Sequence, residues 1–120
     1  MLVKRFENQK EIIAGDGCIL RELLNKLHGD EVECRYSIAH AKVLAGQKTD
    51  KHIMKMTEVY LILKGTGNMY VNDEKKEVGK YDTIYISPDS VQYIENVSDE
   101  DLEFLCICDP AWRADDEVVL

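Results

Sequence analysis

From about Glu33 onward the chain is a succession of short apolar, β-branched and aromatic runs, broken by turn residues at fairly regular intervals. This rhythm constrains the fold more than any other feature of the sequence. The runs CRYSIAHAKVL, EVYLILKG, GNMYVN, KKEVG, DTIYIS, VQYIEN and DLEFLCIC are separated by Gly46, Lys64-Gly65-Thr66-Gly67, Asn72-Asp73-Glu74, Pro88-Asp89-Ser90 and Ser98-Asp99-Glu100-Asp101. Gly, Asn, Asp and Pro supply the backbone angles and local hydrogen bonds of reversals. Run and turn in alternation therefore predict an all-β sandwich or barrel.

Two segments outside this rhythm read less simply. In CILRELLNKLHG, residues 18–29, the apolar positions Ile19, Leu20, Leu23, Leu24 and Leu27 recur at helical spacing, while a short strand followed by a turn fits as well. The tail DPAWRADDEVVL carries Pro110 and several charges, and is expected to wrap the outside of the fold with Trp112 covering an edge or a partner. No repeat, low-complexity tract or linker divides the chain. Its 120 residues are read as one domain, 1–120, with a barrel core at about 33–110. The N-terminal strands and the C-terminal tail are expected to pack outside that core or at a dimer interface.

Composition narrows the class of function. Hydrophobic residues make up 45% and charged residues 32% of the chain, the balance of a protein that folds. The net charge of −8, with no cluster of Lys or Arg, opposes binding to nucleic acid or to an anionic membrane surface. No apolar run approaches the roughly 20 residues of a membrane span, and MLVKRFENQK lacks the apolar core of a signal peptide, so a cytoplasmic location is expected. Cys18, Cys34, Cys106 and Cys108 form no CxxC pair and read as reduced thiols. Asn96-Val97-Ser98 matches a glycosylation sequon, a signal discounted for want of any sign of secretion.

Side chains two apart on a strand share a face. His52 therefore shares a face with Met54, Glu58 with Tyr60 and Ile62, and Gln92 with Ile94. If those faces look inward, each strand sends one polar group into an apolar interior.

The spacing Gly46, His52, Met54, Glu58, Gly65 resembles the first motif of the cupin family, G-x5-H-x-H-x3-E-x6-G, with Met54 where the second histidine stands. The second motif, G-x5-P-x-G-x2-H-x3-N, lies over Tyr81, Ser87, Asp89, Gln92 and Asn96, and Asn96 alone matches outright. The intermotif distance, the phrase YDTIYISPDSVQYIEN and the strand EFLCI also look like small single-domain cupins over roughly residues 33–110.

The resemblance implies a double-stranded β-helix, or jelly-roll barrel, with a divalent metal in its mouth. It also implies that CILRELL is strand. The family's four ligand positions fall on His52, Met54, Glu58 and Gln92. Imidazole, carboxylate and amide oxygen suit Mn, Fe, Ni or Zn, whereas the Met54 thioether adds little, so His52, Glu58 and Gln92 are the expected metal set. Met54, Tyr60, Ile94, Phe104 and Cys106 are the expected pocket, and Glu58 is the candidate catalytic group. An interior in which His52, Glu58 and Gln92 only bond one another stays open beside this.

Other candidates are weaker. His40 shares its face with Lys42 and is expected outside, which leaves Arg35, Ser37, Ala39 and Ala41 facing the cavity. His28 sits in a turn-like LHGD, Cys106 is a thiol candidate or plain core, and Tyr93 is expected to point away from the pocket that Tyr60 enters. Two functions follow. One is a small cupin that binds a divalent metal, a small organic molecule or both in the barrel mouth, with metal-dependent catalysis of dioxygenase, isomerase or lyase type left open. The other is a metal-free small-molecule binding or sensing module. Small cupins pair through exposed edges, so a homodimer is expected, with Tyr36 and Ile38 on the face to be covered.

Overall fold

The computed structural model describes residues 1–120. Eleven strands run β1 Glu11–Ile13, β2 Ile19–Leu24, β3 Ser37–Val43, β4 His52–Met54, β5 Thr57–Lys64, β6 Gly67–Val71, β7 Glu74–Val78, β8 Thr83–Ile86, β9 Val91–Asn96, β10 Leu102–Asp109 and β11 Glu117–Val119. They form two antiparallel sheets, ordered β1-β2-β3-β10-β5-β8 and β11-β4-β9-β6-β7. The fold is all-β, as run and turn predict, and is the jelly-roll barrel that the cupin resemblance implies. No helix is long and apolar enough to cross a membrane.

Period-2 burial fixes which side chains meet. Along β3 the pattern alternates buried and half-buried, with Ser37, Ala39, Ala41 and Val43 inside. β10 does the same with Leu102, Phe104, Cys106 and Cys108. β5 turns Glu58, Tyr60 and Ile62 inward, and β9 turns Gln92, Ile94 and Asn96 inward. Ile62, Ile86, Ile94, Leu102 and Phe104 are at most 1% exposed and form the centre of the core. Each such side chain contributes about 1.5–3 kcal/mol by leaving water. His40 and Tyr93 face outward as parity requires. His40 Nε2 lies 3.0 Å from Glu103 Oε1, and Tyr93 stacks on Tyr70 at 4.3 Å.

Residues 19–24 are strand, not helix. β2 lies between β1 and β3, and its backbone groups are used by both neighbours. The chain then closes into a short 3-10 turn at Lys26–His28, where Asn25 Oδ1 accepts from the Leu27 amide and Gly29 takes φ 98°. The helical spacing of the leucines thus covers a strand and the turn that follows it.

The backbone keeps a shape that the sequence disguises. All four glycine positions of the two motif patterns have positive φ: Gly46 at 74°, Gly65 at 85°, Tyr81 at 72° and Asp89 at 65°. Gly65 is required doubly, since a Cβ there would stand 2.8 Å from the Asp101 carbonyl oxygen. Tyr81 and Asp89 accept a conformation that costs L-residues roughly 1–2 kcal/mol. Asn96, the matching asparagine, is 1% exposed. Its amide donates to the carbonyls of Val43 and Glu100, while its Oδ1 accepts from both the backbone and hydroxyl of Ser98. A side chain so placed is closed to glycan attachment.

The tail does more than wrap the outside. β11 pairs with β4 and covers its edge, with Glu117 opposite Met54 and Val119 opposite His52. Trp112 packs on Met54, Met56 and Cys108, and its amide donates to Ser37 Oγ.

Candidate functional site

One end of the barrel encloses a cavity of about 40 Å³. That is room for about three waters, or for an ion with part of its shell. Its walls include Ser37 and Ala39 from β3, His52 and Met54 from β4, Glu58 and Tyr60 from β5, and Cys106 and Cys108 from β10. Segments outside the barrel core complete it: Asp16 and Cys18 before β2, Glu22 on β2, Trp112 in the tail and Glu117 on β11. Four carboxylates and one imidazole line this space, and no Lys or Arg does.

His52 is held in one tautomer. Its Nδ1–H donates to the Asp50 carbonyl at 2.7 Å, because a carbonyl can only accept. In the neutral ring Nε2 then carries the lone pair, and it looks toward Asp16 Oδ2 at 3.6 Å. Such a backbone bond is the usual way a ligating histidine is oriented.

Asp16 is oriented with equal economy. Its Oδ1 accepts from the Cys18 amide at 3.1 Å, an Asx turn that Gly17 closes at φ 90°. The Asp50 amide donates to the Asp16 carbonyl at 2.7 Å, so the residue that steers the imidazole also anchors this loop. One ligand-capable atom from each of Asp16, His52 and Glu117 lies within 4.8 Å of the other two.

Glu58 is 4% exposed. Its Oε2 accepts a weak bond from the Cys108 thiol at 3.5 Å, and its Oε1 has no partner. Burial pushes its pKa up to about 7, against the opposing pull of His52, the Cys108 thiol and the Gln92 amide. Glu22 is pushed up to about 7 by the same cause, and its Oε2 is also unpartnered. Glu117 is raised by burial and then by the charge of Asp16. The thiols of Cys18, Cys106 and Cys108 are raised above the ordinary cysteine value, chiefly by burial. They are therefore protonated, poor nucleophiles and poor ligands.

Of the residues singled out in the sequence, His52, Met54, Glu58, Tyr60 and Cys106 meet at this cavity. Gln92 is buried opposite His52 on the β4–β9 ladder but stands outside the cavity wall, where its Oε1 accepts from the Tyr60 hydroxyl at 3.5 Å. Its Nε2 has no partner. Ile94 and Phe104 lie in the main core rather than the wall. His28 packs edge-on against Trp112, with ring centroids 6.0 Å apart, and does not line the cavity. Asp16 and Glu117 escaped notice because no local pattern links a Gly-Asp-Gly loop to a tail strand. The acid at the start of the apolar Val118-Val119 pair was the only hint that the tail turns one face inward.

Residues 39–108 match the cupin domain family, more than half of the chain. The chain belongs to the cupin family. Beyond the matched core, this cupin is 39% identical over 117 residues to an uncharacterized protein of Methanocaldococcus jannaschii, covering 96% of this chain and 91% of that one. Its fold is similar to the polyketide cyclase RemF of Streptomyces resistomycificus, with TM-score 0.76 at 18% identity over 91% of this chain and 79% of the other. It is likewise similar to a predicted oxalate decarboxylase of Thermotoga maritima, with TM-score 0.75 at 24% identity over 91% and 99% of the two chains. At such identities the likeness is one of fold.

The four family ligand positions fit a metal only in part. His52 offers an oriented nitrogen and Glu58 an unpartnered oxygen. Met54 offers a thioether, and the oxygen of Gln92 is already engaged with Tyr60. The acidic groups beside His52 add hard oxygen donors that the family positions lack.

Proposed function

We propose that this cupin binds a divalent cation in the cavity around His52, and uses the same barrel mouth to take a small organic molecule. The observation that carries this reading is the charge of the cavity wall. Asp16, Glu22, Glu58 and Glu117 surround it with only His52 as a potential cation among them. Buried carboxylates without a positive partner are costly, and a divalent ion answers that cost better than partial protonation of each acid.

Oxygen donors with one imidazole suit Mn, Fe, Ni or Zn. A bound ion of this type supplies Lewis-acid polarisation of an oxygen on the organic partner. The chain's own residues supply the rest. His52 presents Nε2, Tyr60 and Trp112 limit water, and Glu58 offers its unpartnered Oε1. The cavity of about 40 Å³ admits only a fragment of an organic molecule while Trp112 is in place. Solved relatives of this fold include a cyclase and a predicted decarboxylase. Fold alone does not choose between such reactions.

A metal-free module that binds or senses a small molecule is the second reading. It is favoured by the approach of His52 Nε2 to Asp16 Oδ2 at 3.6 Å, an ion pair when the ring is protonated, and by Met54 at a ligand position. Thermal melting separates the two. If a cation is bound, Mn, Ni or Zn raises the Tm of chelator-treated wild type and leaves His52→Ala unmoved. A Tm indifferent to all these ions in wild type supports the metal-free module. With either reading we propose a homodimer that covers exposed Tyr36 and half-buried Ile38, for which a monomer by light scattering at micromolar concentration is the contrary result.

A further inference from the structure

We infer that the cation's shell is completed by Asp16 and Glu117, so that the two ends of the chain replace ligands that the barrel strands have lost. This rests on the cation-binding reading above. The family-matched core spans 39–108, and both acids lie outside it. Yet their carboxylates, together with His52, form the one cluster of three potential ligands within 4.8 Å.

The two acids arrive where donors are missing. Glu117 is the cross-strand neighbour of Met54, the residue at the position of the family's second histidine. Its carboxyl group also lies 3.7 Å from where a Cβ on Gly15 would stand, so a larger residue there would crowd it. Asp16 has one oxygen fixed by the Cys18 amide and the other turned to His52 Nε2. A carboxylate anchored in this way loses little freedom on meeting an ion.

A second observation is independent of the cluster. Glu58 is 4% exposed, lines the same cavity and leaves Oε1 without a partner. A buried carboxylate with an oxygen that lacks a hydrogen bond, on the wall of a cavity that three other acids also line, suits a cation. The ligand class is accordingly a divalent ion of hard or borderline character, held by one nitrogen and several oxygens.

The arrangement has a mechanical consequence. Asp16 belongs to the loop before β2, His52 to β4 and Glu117 to β11. An ion shared by the three ties both ends of the chain across the barrel mouth. Binding should therefore tighten β11 as well as fill the cavity.

The test is isothermal titration of chelator-treated full-length protein with Zn²⁺ and Mn²⁺, on wild type and on Asp16→Asn, Glu117→Gln and His52→Ala, beside hydrogen exchange of residues 117–119. The amide substitutions keep shape and remove charge, so their metal-free Tm should equal or exceed that of wild type. Loss of mere outer partners of a metal site weakens binding roughly 10–100-fold, so loss of either acid should cost about 100-fold or more. Zn²⁺ should also slow exchange at 117–119 in wild type and not in Asp16→Asn. His40→Gln, on the outer face, should bind like wild type. If wild type and both amide variants bind equally while His52→Ala does not, the inference falls and the cation-binding reading stands. If wild type takes up no ion, both fall together.

Discussion

Glu117 stands directly across the β4–β11 ladder from Met54, so a carboxylate from the tail reaches the spot where strand β4 itself offers only a thioether. Strand pairing thereby adds to the site a residue 63 positions further along the chain, since 117 − 54 = 63. The same pairing puts Val119 opposite His52 and closes the edge of β4.

Tyr81 holds φ 72° with its side chain 69% exposed. Glycine there relieves left-handed strain of roughly 1–2 kcal/mol and returns some of it as unfolded-state entropy. Tyr81→Gly is expected to raise stability by about 0.5–1 kcal/mol in urea denaturation. A decrease would show that the Lys80–Tyr81 contact outweighs the backbone.

Asn96 ties the end of β9 to Val43 and to the 98–100 turn. Asn96→Ala removes those bonds and takes a donor from the Val43 and Glu100 carbonyls, at a cost of about 2–4 kcal/mol. A loss below about 0.5 kcal/mol in the same measurement contradicts this role.

Glu22 provides a pH dependence of unusual sign. Its folded pKa is about 7 against 4.5 for the free side chain, because burial disfavours the charged form. Between those values the folded state holds a proton that the unfolded state has released, so stability falls as pH rises from about 4.5 to 7. In chelator, wild type should have a lower urea midpoint at pH 7.5 than at pH 5, and Glu22→Gln should show a smaller drop. Equal drops would remove Glu22 from the account.

The thiols divide by burial. Cys34 is half-buried, whereas Cys18, Cys106 and Cys108 are buried, and the pKa of each of these three is raised. A thiol reagent at pH 8 should label Cys34 first and the other three only on unfolding. Prompt labelling of Cys106 would revive it as a functional thiol.

The period-2 pattern made most of this architecture legible. It placed Glu58 and Tyr60 at the cavity and turned His40 and Tyr93 away from it, while Gln92, inward by the same rule, stands outside the cavity wall. Burial alternation is a property of each strand by itself, which is why it survives in sequence. Asp16 and Glu117 were hidden for the opposite reason. Their meeting depends on which edge β11 joins and on how the Gly15–Gly17 loop folds, and neither has a local periodic signature. The leucines of 19–27 left helix and strand open, since helical spacing is a local preference that pairing with β1 and β3 overrides, and the strand that the cupin resemblance implies is the one formed. Tyr81 and Asp89 show the reverse case, where the backbone shape persists after its glycines are gone.

Equilibrium dialysis of chelator-treated protein against Mn²⁺, Fe²⁺, Ni²⁺ or Zn²⁺ at pH 7.5, read by elemental analysis, tests the acidic cavity most directly. The account predicts close to one ion per chain for wild type with at least one of these metals, and loss of that ion in His52→Ala. Wild type that stays empty with all of them would contradict it.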